Sequence, residues 1–296
     1  MDTISEYILA TRPWSFTAAI VPIMVTAAVV KASFFSIEFL QAVTMGVSIQ
    51  AAANLTNTYY DFVKGIDNID SAAAGTGEKT LVEKKVSVNG LIMLFVCLYL
   101  LATLSISPLL MRCWPTFITF IAGTCLSFFY TANPVGLKYM AMGDITIFLC
   151  FGPLLMECTS LVLIGKMTNS LWIYAIPISL LAEGILHANN ARDIKSDSMA
   201  GAVTLATLVG FQNSYYFYVS LLVGAYVSSL FIAFFLNWGC AFTLLTIPLA
   251  MDLEKRFREK NMMGIDAETA KMHLPFGILL FCGIQFTHNG LQAFLE

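Results

Sequence analysis

The chain has 296 residues, of which 58% are hydrophobic and only 12% are Asp, Glu, Lys or Arg. A soluble domain is nearer half apolar and a quarter charged, so these charges are too few to coat a globule of this size in water. The composition, with a mean hydropathy of +0.76, excludes a soluble enzyme, a disordered chain and a nucleic-acid-binding protein. It predicts an integral membrane protein.

Apolar stretches between charged residues predict where the chain crosses the membrane. A transmembrane helix needs roughly 20 mostly apolar residues, and gaps of about that length recur along the chain. They predict an all-α bundle of nine transmembrane helices, at residues 13–31, 39–62, 88–110, 114–132, 142–164, 171–192, 213–236, 240–254 and 272–294. We expect residues 1–296 to form one transmembrane domain. The first span has no clear cleavage site after it, so we expect it to stay in the protein.

The basic residues are distributed unequally between the two sides of this bundle. With nine spans, the N-terminus and every second loop share one side, which carries all 16 Lys and Arg residues except Lys31, Arg112 and Lys166. Cytoplasmic loops of membrane proteins are enriched in Lys and Arg. The N-terminus is therefore predicted to be cytoplasmic, and the C-terminus to lie across the membrane.

Two stripes of polar residues end the second and sixth predicted spans on that same side. Each stripe has spacings of three and four residues, which place its members on one face of a helix. The stripes are Asn54, Asn57 and Asp61, and Asn190, Asp193 and Asp197. Glu183 and His187 extend the second stripe toward the membrane interior. Carboxylates in or near a span are costly and tend to mark functional sites.

The composition of the stripes indicates a particular chemistry. Oxygen ligands without a cluster of His or Cys suit Mg²⁺, which uses one or two carboxylates and completes its shell with water and substrate phosphate. Lys64, Lys138, Arg192 and Lys195 lie on the same side and can bind phosphate oxygens. A diphosphate site that opens onto lipid predicts a substrate with a long apolar tail.

These segments resemble the motifs of the UbiA superfamily of membrane prenyltransferases. Residues 54–67 resemble its Asp-rich motif, in the form Asn57-x-x-x-Asp61-x-x-Lys64-Gly65-x-Asp67, and residues 189–197 resemble its D-x-x-x-D motif. The Lys64-Gly65 variant of the motif is similar to that of the menaquinone branch. Further segments resemble the animal members of that branch: residues 12–16, 57–62, 138–139, 143–144, 151–154, 183–187 and 243–258. Thr58 stands where many members carry a second acid, and residues 70–78 depart from the family loop.

The resemblance implies a UbiA-type fold and transfer of an isoprenyl group, geranylgeranyl, from its diphosphate to a naphthoquinol such as menadiol. It implies that Mg²⁺ and diphosphate are bound by Asn57, Asp61, Asp193 and Asp197, with help from Asn190. The implied phosphate-binding cations are Lys64, Lys138, Arg192 and Lys195.

Further roles follow for the polar residues around this core. Asp67 is the candidate for acceptor orientation or proton removal, although support of the metal ligands is an equal alternative. Asp144 is a further diphosphate or base group. Tyr130 supports the allylic cation or bonds the diphosphate, unless it belongs to an interfacial aromatic belt. Glu183 and His187 are expected in the acceptor pocket or in a structural role.

Three alternatives remain at this stage. Another acceptor, 4-hydroxybenzoate or dihydroxynaphthoate among them, would keep the chemistry and change the product. A secondary transporter also uses acids within the membrane, but it places them near the midplane rather than at helix ends. A lipid-sensing scaffold is the third, since the resemblance implies a sterol-pathway reductase as partner and the endoplasmic reticulum or Golgi as location.

Overall fold

We describe the protein from a computed structural model, which covers residues 3–69, 72, 79–110 and 113–295 and only the backbone of Thr3 and residues 288–295. Arg112, one of the three basic residues assigned to the opposite side, lies outside the described residues. So does the divergent segment 70–78, apart from Ala72.

Helices account for the regular structure of the described residues, which confirms the all-α fold. In chain order they are α1 (Thr3–Ala10), α2 (Thr17–Val29), α3 (Ile37–Val63), α4 (Lys79–Val82), α5 (Val88–Leu110), α6 (Trp114–Phe129), α7 (Gly143–Leu149), α8 (Leu155–Ile164), α9 (Leu171–Arg192), α10 (Ile194–Met199), α11 (Leu205–Phe235), α12 (Ile247–Arg258) and α13 (Ile265–Leu295). Short 3₁₀ segments cover Pro13–Phe16, Leu137–Tyr139 and Trp238–Thr246.

Four of these elements are long and apolar enough to cross a membrane. They are α5, the continuous stretch Gly143–Ile164, α9 and α11, and α1 with Pro13–Val29 forms a fifth candidate bent by 45°. The multi-pass membrane bundle is confirmed, but the count of nine is not. The long helices α3 and α13 are not among these candidates; α3 includes Glu38 and Asp61, and α13 includes Asp266 and Glu268.

Local chemistry explains where several helices start, bend and end. Ser36 caps α3 by accepting the N–H of Phe39 at 3.1 Å, as N-cap serines commonly do. Pro153 lies in a π-helical turn, Cys150–Leu154, that joins α7 to α8. Gly210 breaks α11 with a φ of 76°, a backbone conformation that glycine adopts without steric cost.

Helix packing brings the two polar stripes together. α3 packs against α5 and α2, while α9 packs against α11 and α13. Apolar side chains such as Tyr218, Phe257 and Phe276 fill the interface of α9, α11, α12 and α13. A second layer, with Ile23, Met45 and other apolar residues, lies between α2, α3, α5, α6 and α8. The C-terminal ends of α3 and α9 line one cavity, described below.

Candidate active site

A polar cavity of about 170 Å³ lies where the ends of α3 and α9 meet the 3₁₀ turn Leu137–Tyr139 and the start of α13. We call it the polar cavity. Its lining residues are Arg12, Trp14, Asn57, Asp61, Ile66, Asp67, Lys138, Asn189, Arg192, Asp193, Ser196, Asp197 and Asp266. It therefore contains Asn57, Asp61, Asp67, Asp193 and Asp197 of the two predicted motifs, together with two of the four predicted cations.

Both carboxylate oxygens of Asp61, which lines the polar cavity, are engaged by side chains. The Nζ atom of Lys138 lies 2.7 Å from its Oδ2 atom, and the hydroxyl of Tyr139 donates to its Oδ1 atom at 2.7 Å. Lys138 also donates to Oδ1 of Asn57 at 3.3 Å. Burial lowers the pKa of Lys138, but the acids Asp61 and Asp197 more than offset this, and its pKa is raised. Lys138 is thus a buried cation in the polar cavity.

The opposite wall is organised by Arg192, the last residue of α9. Its guanidinium holds both oxygens of Asp193 at 2.7 Å, through Nε and Nη2, and reaches Oδ1 of Asp266 at 2.7 Å. The same Nη2 atom donates to Asn189 at 2.8 Å. A planar guanidinium suits such multidentate contact with carboxylates and phosphates. The helix ends here, and Asp193 joins α9 to α10.

Asp197, on the short helix α10, completes the acidic set. Its pKa is raised to about 7: burial is the largest cause, the acids Asp193 and Asp61 also raise the pKa, and the cation Lys138 opposes them. Its Oδ2 atom is buried and accepts no hydrogen bond. A buried carboxylate oxygen without a partner is costly, so this atom can accept a cation or a proton at little further cost.

An apolar cavity of about 190 Å³ adjoins the polar cavity. Its walls include apolar side chains of α3, α6, the Gly143–Ile164 stretch and α9, such as Met45, Phe120, Leu154 and Leu186. We call it the apolar cavity. The residues that line both cavities are Arg12, Trp14, Asn57, Lys138, Asn189 and Asp266. The two cavities thus meet at a shared boundary that contains the Lys138 ammonium.

Two Asn residues of the predicted stripes and two of the predicted phosphate-binding cations lie apart from the polar cavity. Asn54 donates to the carbonyl of Thr11 at 2.7 Å and to the hydroxyl of Ser15 at 2.9 Å, so it anchors the N-terminal segment. Asn190 is buried and does not line the cavity, whereas its neighbour Asn189 does. The other two, Lys195 and Lys64, are exposed and do not line the cavity. The Nζ atom of Lys64 lies 4.1 Å from the centroid of the Tyr139 ring.

Asp144, Glu183 and His187 form a separate buried cluster. Nδ1 of His187 lies 2.9 Å from Oδ1 of Asp144, and Glu183 is one helical turn before His187. None of the three lines either cavity. Tyr130 lines the apolar cavity, and its buried hydroxyl forms no hydrogen bond. The roles predicted for Glu183 and His187 in acceptor binding therefore stay predictions.

The sequence patterns missed four residues that complete the site. Tyr139 was visible only as a neighbour of Lys138, and Asn189 as a neighbour of the second stripe. Asp266 is 74 residues from Arg192, and no local spacing predicts that contact. Trp14 lies in residues 12–16, a segment that resembles the family, but the sequence indicated no role for it.

The polar cavity, the apolar cavity and the helical fold define a membrane prenyltransferase of a known class. The family model of the UbiA prenyltransferase family matches residues 19–272, so the chain belongs to that family. This agrees with the motif resemblance.

The chain is similar to animal proteins named UbiA prenyltransferase domain-containing protein 1. It is 38% identical to the Xenopus tropicalis protein over 293 residues, covering 97% of this chain and 83% of that protein. It is 36% identical to the human protein over 289 residues, covering 95% and 83%. The Drosophila melanogaster homologue is 37% identical over 310 residues, covering 98% and 83%.

Two solved structures show the same fold. The apo structure of a UbiA homolog from Aeropyrum pernix K1 matches with a TM-score of 0.66 at 14% identity, covering 96% of this chain and 98% of that one. A UbiA homolog from Archaeoglobus fulgidus bound to DMAPP and Mg²⁺ matches with a TM-score of 0.64 at 12% identity, covering 94% and 99%.

Proposed function

We propose that this protein transfers an isoprenyl group, geranylgeranyl, from its diphosphate to a naphthoquinol such as menadiol. One observation carries the proposal: a polar cavity rich in carboxylates and cations meets an apolar cavity within one helical bundle. A prenyl diphosphate has these two parts, a charged head and an apolar tail. Residues 1–296 would act as one transmembrane domain.

The acids of the polar cavity fit Mg²⁺ as the cofactor. Mg²⁺ prefers oxygen ligands, and this cavity offers four buried carboxylates and the amide oxygen of Asn57. The unpaired Oδ2 atom of Asp197 supplies lone pairs for a cation. Asn57, Asp61, Asp193 and Asp197 would therefore hold Mg²⁺, with Asn190 behind them. The Archaeoglobus homolog was solved bound to DMAPP or GPP with Mg²⁺, which supports this proposal.

The chain's own residues have defined tasks in this reaction. Mg²⁺, when bound, neutralises charge on the diphosphate leaving group. Lys138 and Arg192 bind phosphate oxygens through charge-assisted hydrogen bonds. The C–O bond then breaks, diphosphate keeps the electron pair, and an allylic cation remains at the boundary of the two cavities.

The second step joins the cation to the acceptor ring. The face of Tyr130 in the apolar cavity stabilises the cation, as aromatic faces do for positive charge. An electron-rich carbon of the quinol forms the new C–C bond, and that carbon then loses its proton to a base. Asp67, which is buried in the lining of the polar cavity, is the proposed base. Lys64 and Lys195, both exposed, would attract diphosphate from the surface.

The proposal also specifies the aromatic acceptor and the membrane in which the protein resides. A naphthoquinol is favoured over 4-hydroxybenzoate or dihydroxynaphthoate because the Lys64-Gly65 form of the Asp-rich motif resembles the menaquinone branch of the superfamily. The distribution of Lys and Arg supports a cytoplasmic N-terminus and polar cavity. The endoplasmic reticulum or Golgi is proposed as the membrane because of the family resemblance. Contact with a sterol-pathway reductase stays a prediction.

The direct test is the mass of the product. Purified protein in lipid nanodiscs is incubated with geranylgeranyl diphosphate, Mg²⁺ and one acceptor: menadiol, 4-hydroxybenzoate or dihydroxynaphthoate. The expected result is a geranylgeranylated naphthoquinone from menadiol. A prenylated product from another acceptor alone would overturn the acceptor and keep the reaction, whereas no product from any acceptor would overturn both.

A matched set of variants tests the site. Asp61→Ala and Asp193→Ala remove two proposed Mg²⁺ ligands and should reduce turnover at least 100-fold. Asp252→Ala removes an exposed acid of α12 that lies outside both cavities, and it should leave turnover unchanged. Near-normal turnover in both cavity variants would refute the metal-diphosphate assignment.

A further inference from the structure

The buried cluster of Asp144, Glu183 and His187 lies between α7 and α9, apart from the polar cavity. One ligand atom from each of the three residues lies within 4.8 Å of the other two. Glu183 and His187 are four residues apart and therefore share one face of α9, while Asp144 approaches from the first turn of α7. Side chains from facing helices build metal sites in helical bundles in this way.

The cluster has more lone pairs than donors to satisfy them. Glu183 is only 2% exposed, and the one group of the described residues that can hydrogen-bond its carboxyl group is that of Asp144, which requires a proton between the two; without that proton neither oxygen of Glu183 has a partner. Oδ2 of Asp144 and Nε2 of His187 are also buried without partners. The single described ion pair of the cluster is the contact between His187 and Asp144, and no Lys or Arg of the described residues forms one with it. Burial of carboxylates without a cation is strongly unfavourable.

We propose that Asp144, Glu183 and His187 bind a divalent transition-metal ion of the Zn²⁺ or Mn²⁺ type, separate from the Mg²⁺ of the polar cavity. A single cation among the three side chains would engage both carboxylates and the imidazole at once, whereas a proton shared by Glu183 and Asp144 engages only one oxygen of each. Imidazole with two carboxylates selects Zn²⁺ or Mn²⁺ over Mg²⁺, which prefers oxygen ligands alone.

The ligand atoms lie close enough for one ion to draw them together. Ligands about 2.0–2.2 Å from a tetrahedral Zn²⁺ lie about 3.3–3.6 Å apart. Nδ1 of His187 and Oδ1 of Asp144 are already 2.9 Å apart, and a pair at the upper limit of 4.8 Å would have to approach by about 1 Å. The ring of His187 packs edge-on against Phe217 at 4.7 Å, which fixes the imidazole plane. The ion would tie α7 to α9 beneath the polar cavity.

The test measures metal content and stability, which do not depend on prenyl transfer. Purified protein is stripped with chelator, supplied with Zn²⁺ or Mn²⁺ and analysed for bound metal. About one equivalent should be retained by the wild type and by Asp193→Asn, which removes a ligand of the polar cavity only. Glu157→Gln, at another buried glutamate within a span, should also retain it. Glu183→Gln and His187→Gln should bind at least tenfold more weakly.

A second measurement covers variants that fold poorly. Zn²⁺ should raise the Tm of the wild type and of Asp193→Asn, and Co²⁺ should give the wild type a visible absorption band that excess Zn²⁺ removes. Wild-type protein with no retained metal, no Tm shift and no Co²⁺ band would show that shared protons satisfy the cluster and would overturn the proposal. Equal retention by Glu183→Gln and His187→Gln would also overturn it. Neither result would affect the proposed prenyl transfer.

Discussion

Asp61 has both carboxylate oxygens engaged, one by the ammonium of Lys138 and one by the hydroxyl of Tyr139. Arg192 engages Asp193 in the same complete way. The internal cations of the polar cavity therefore hold the acids in place in the free protein. The oxygens of a bound diphosphate would accept hydrogen bonds from Lys138 and Arg192. Mg²⁺ would then take the place of these two cations beside the carboxylates, so that substrate binding exchanges one set of ionic partners for another.

Lys138 should matter far more than Lys195, although both were predicted to bind phosphate. Lys138→Met removes a buried cation of the polar cavity, and charge-assisted hydrogen bonds of this kind contribute about 1.5–3 kcal/mol. We expect the KM for the prenyl diphosphate to rise roughly 10- to 100-fold. Lys195→Met, at an exposed position outside the cavity, serves as the control, and equal effects in the two variants would contradict the structure.

Asp197 should make stabilisation by Mg²⁺ depend on pH. Burial raises its pKa to about 7 in the folded protein, above the usual value near 3.9, so ionisation destabilises the metal-free fold as pH rises toward and through 7. Mg²⁺ needs the ionised form and relieves that cost. The Mg²⁺-induced rise in Tm should be larger at pH 8 than at pH 6, and Asp197→Asn should make the two values similar. A larger rise at pH 6 in the wild type would contradict the assignment.

Helices were predictable where charges mark their ends and less so elsewhere. The predicted bounds 88–110 and 171–192 coincide with α5 and α9. No charge marks the long stretch before Asp252, and there the predicted helix 213–236 starts eight residues after the true start of α11 at Leu205. The predicted helix 240–254 is a 3₁₀ segment that passes into α12, with a proline in the first turn.

One element contact requires glycine on both sides. The 3₁₀ segment Trp238–Thr246 packs against α13 so closely that a Cβ atom on Gly283 would collide with the backbone of Gly239. Gly283→Ala should therefore force the elements apart and destabilise the fold by about 1–3 kcal/mol, seen as a lower Tm. Gly123→Ala, where a Cβ atom would only touch Leu154 at 3.7 Å, should leave the Tm nearly unchanged. Similar Tm values for both variants would contradict the close approach.

At the scale of the whole molecule, the polar cavity could be predicted more fully than the apolar one. Acids and amides are rare in this chain, so Asn57, Asp61 and Asp193 stand out by type and spacing. Apolar residues occur everywhere, so neither their type nor their period separates the walls of the apolar cavity from lipid-facing or core positions. Only the tertiary arrangement shows that Met45, Phe120 and Leu186 face the same space.

Asp266 provides a long-range test of how the site is assembled. It holds Arg192 from the first turn of α13, 74 residues along the chain. Asp266→Asn should loosen the Arg192 side chain and raise the KM for the prenyl diphosphate several-fold, with a smaller change in kcat. Glu268→Gln, two residues away in an exposed pair with Lys271, is the matched control. An unchanged KM in Asp266→Asn would show that Arg192 is held sufficiently by Asn189 and Asp193.

The contact between Arg192 and Asp266 also has a consequence for biosynthesis. A membrane protein is made and inserted from its N-terminus, so α3 and α9 enter the bilayer well before α13. The wall of the polar cavity that contains Asp266 is absent until α13 has been synthesised and packed. A nascent chain would therefore acquire its complete charged pocket only after α13 has followed α3 and α9 into the membrane.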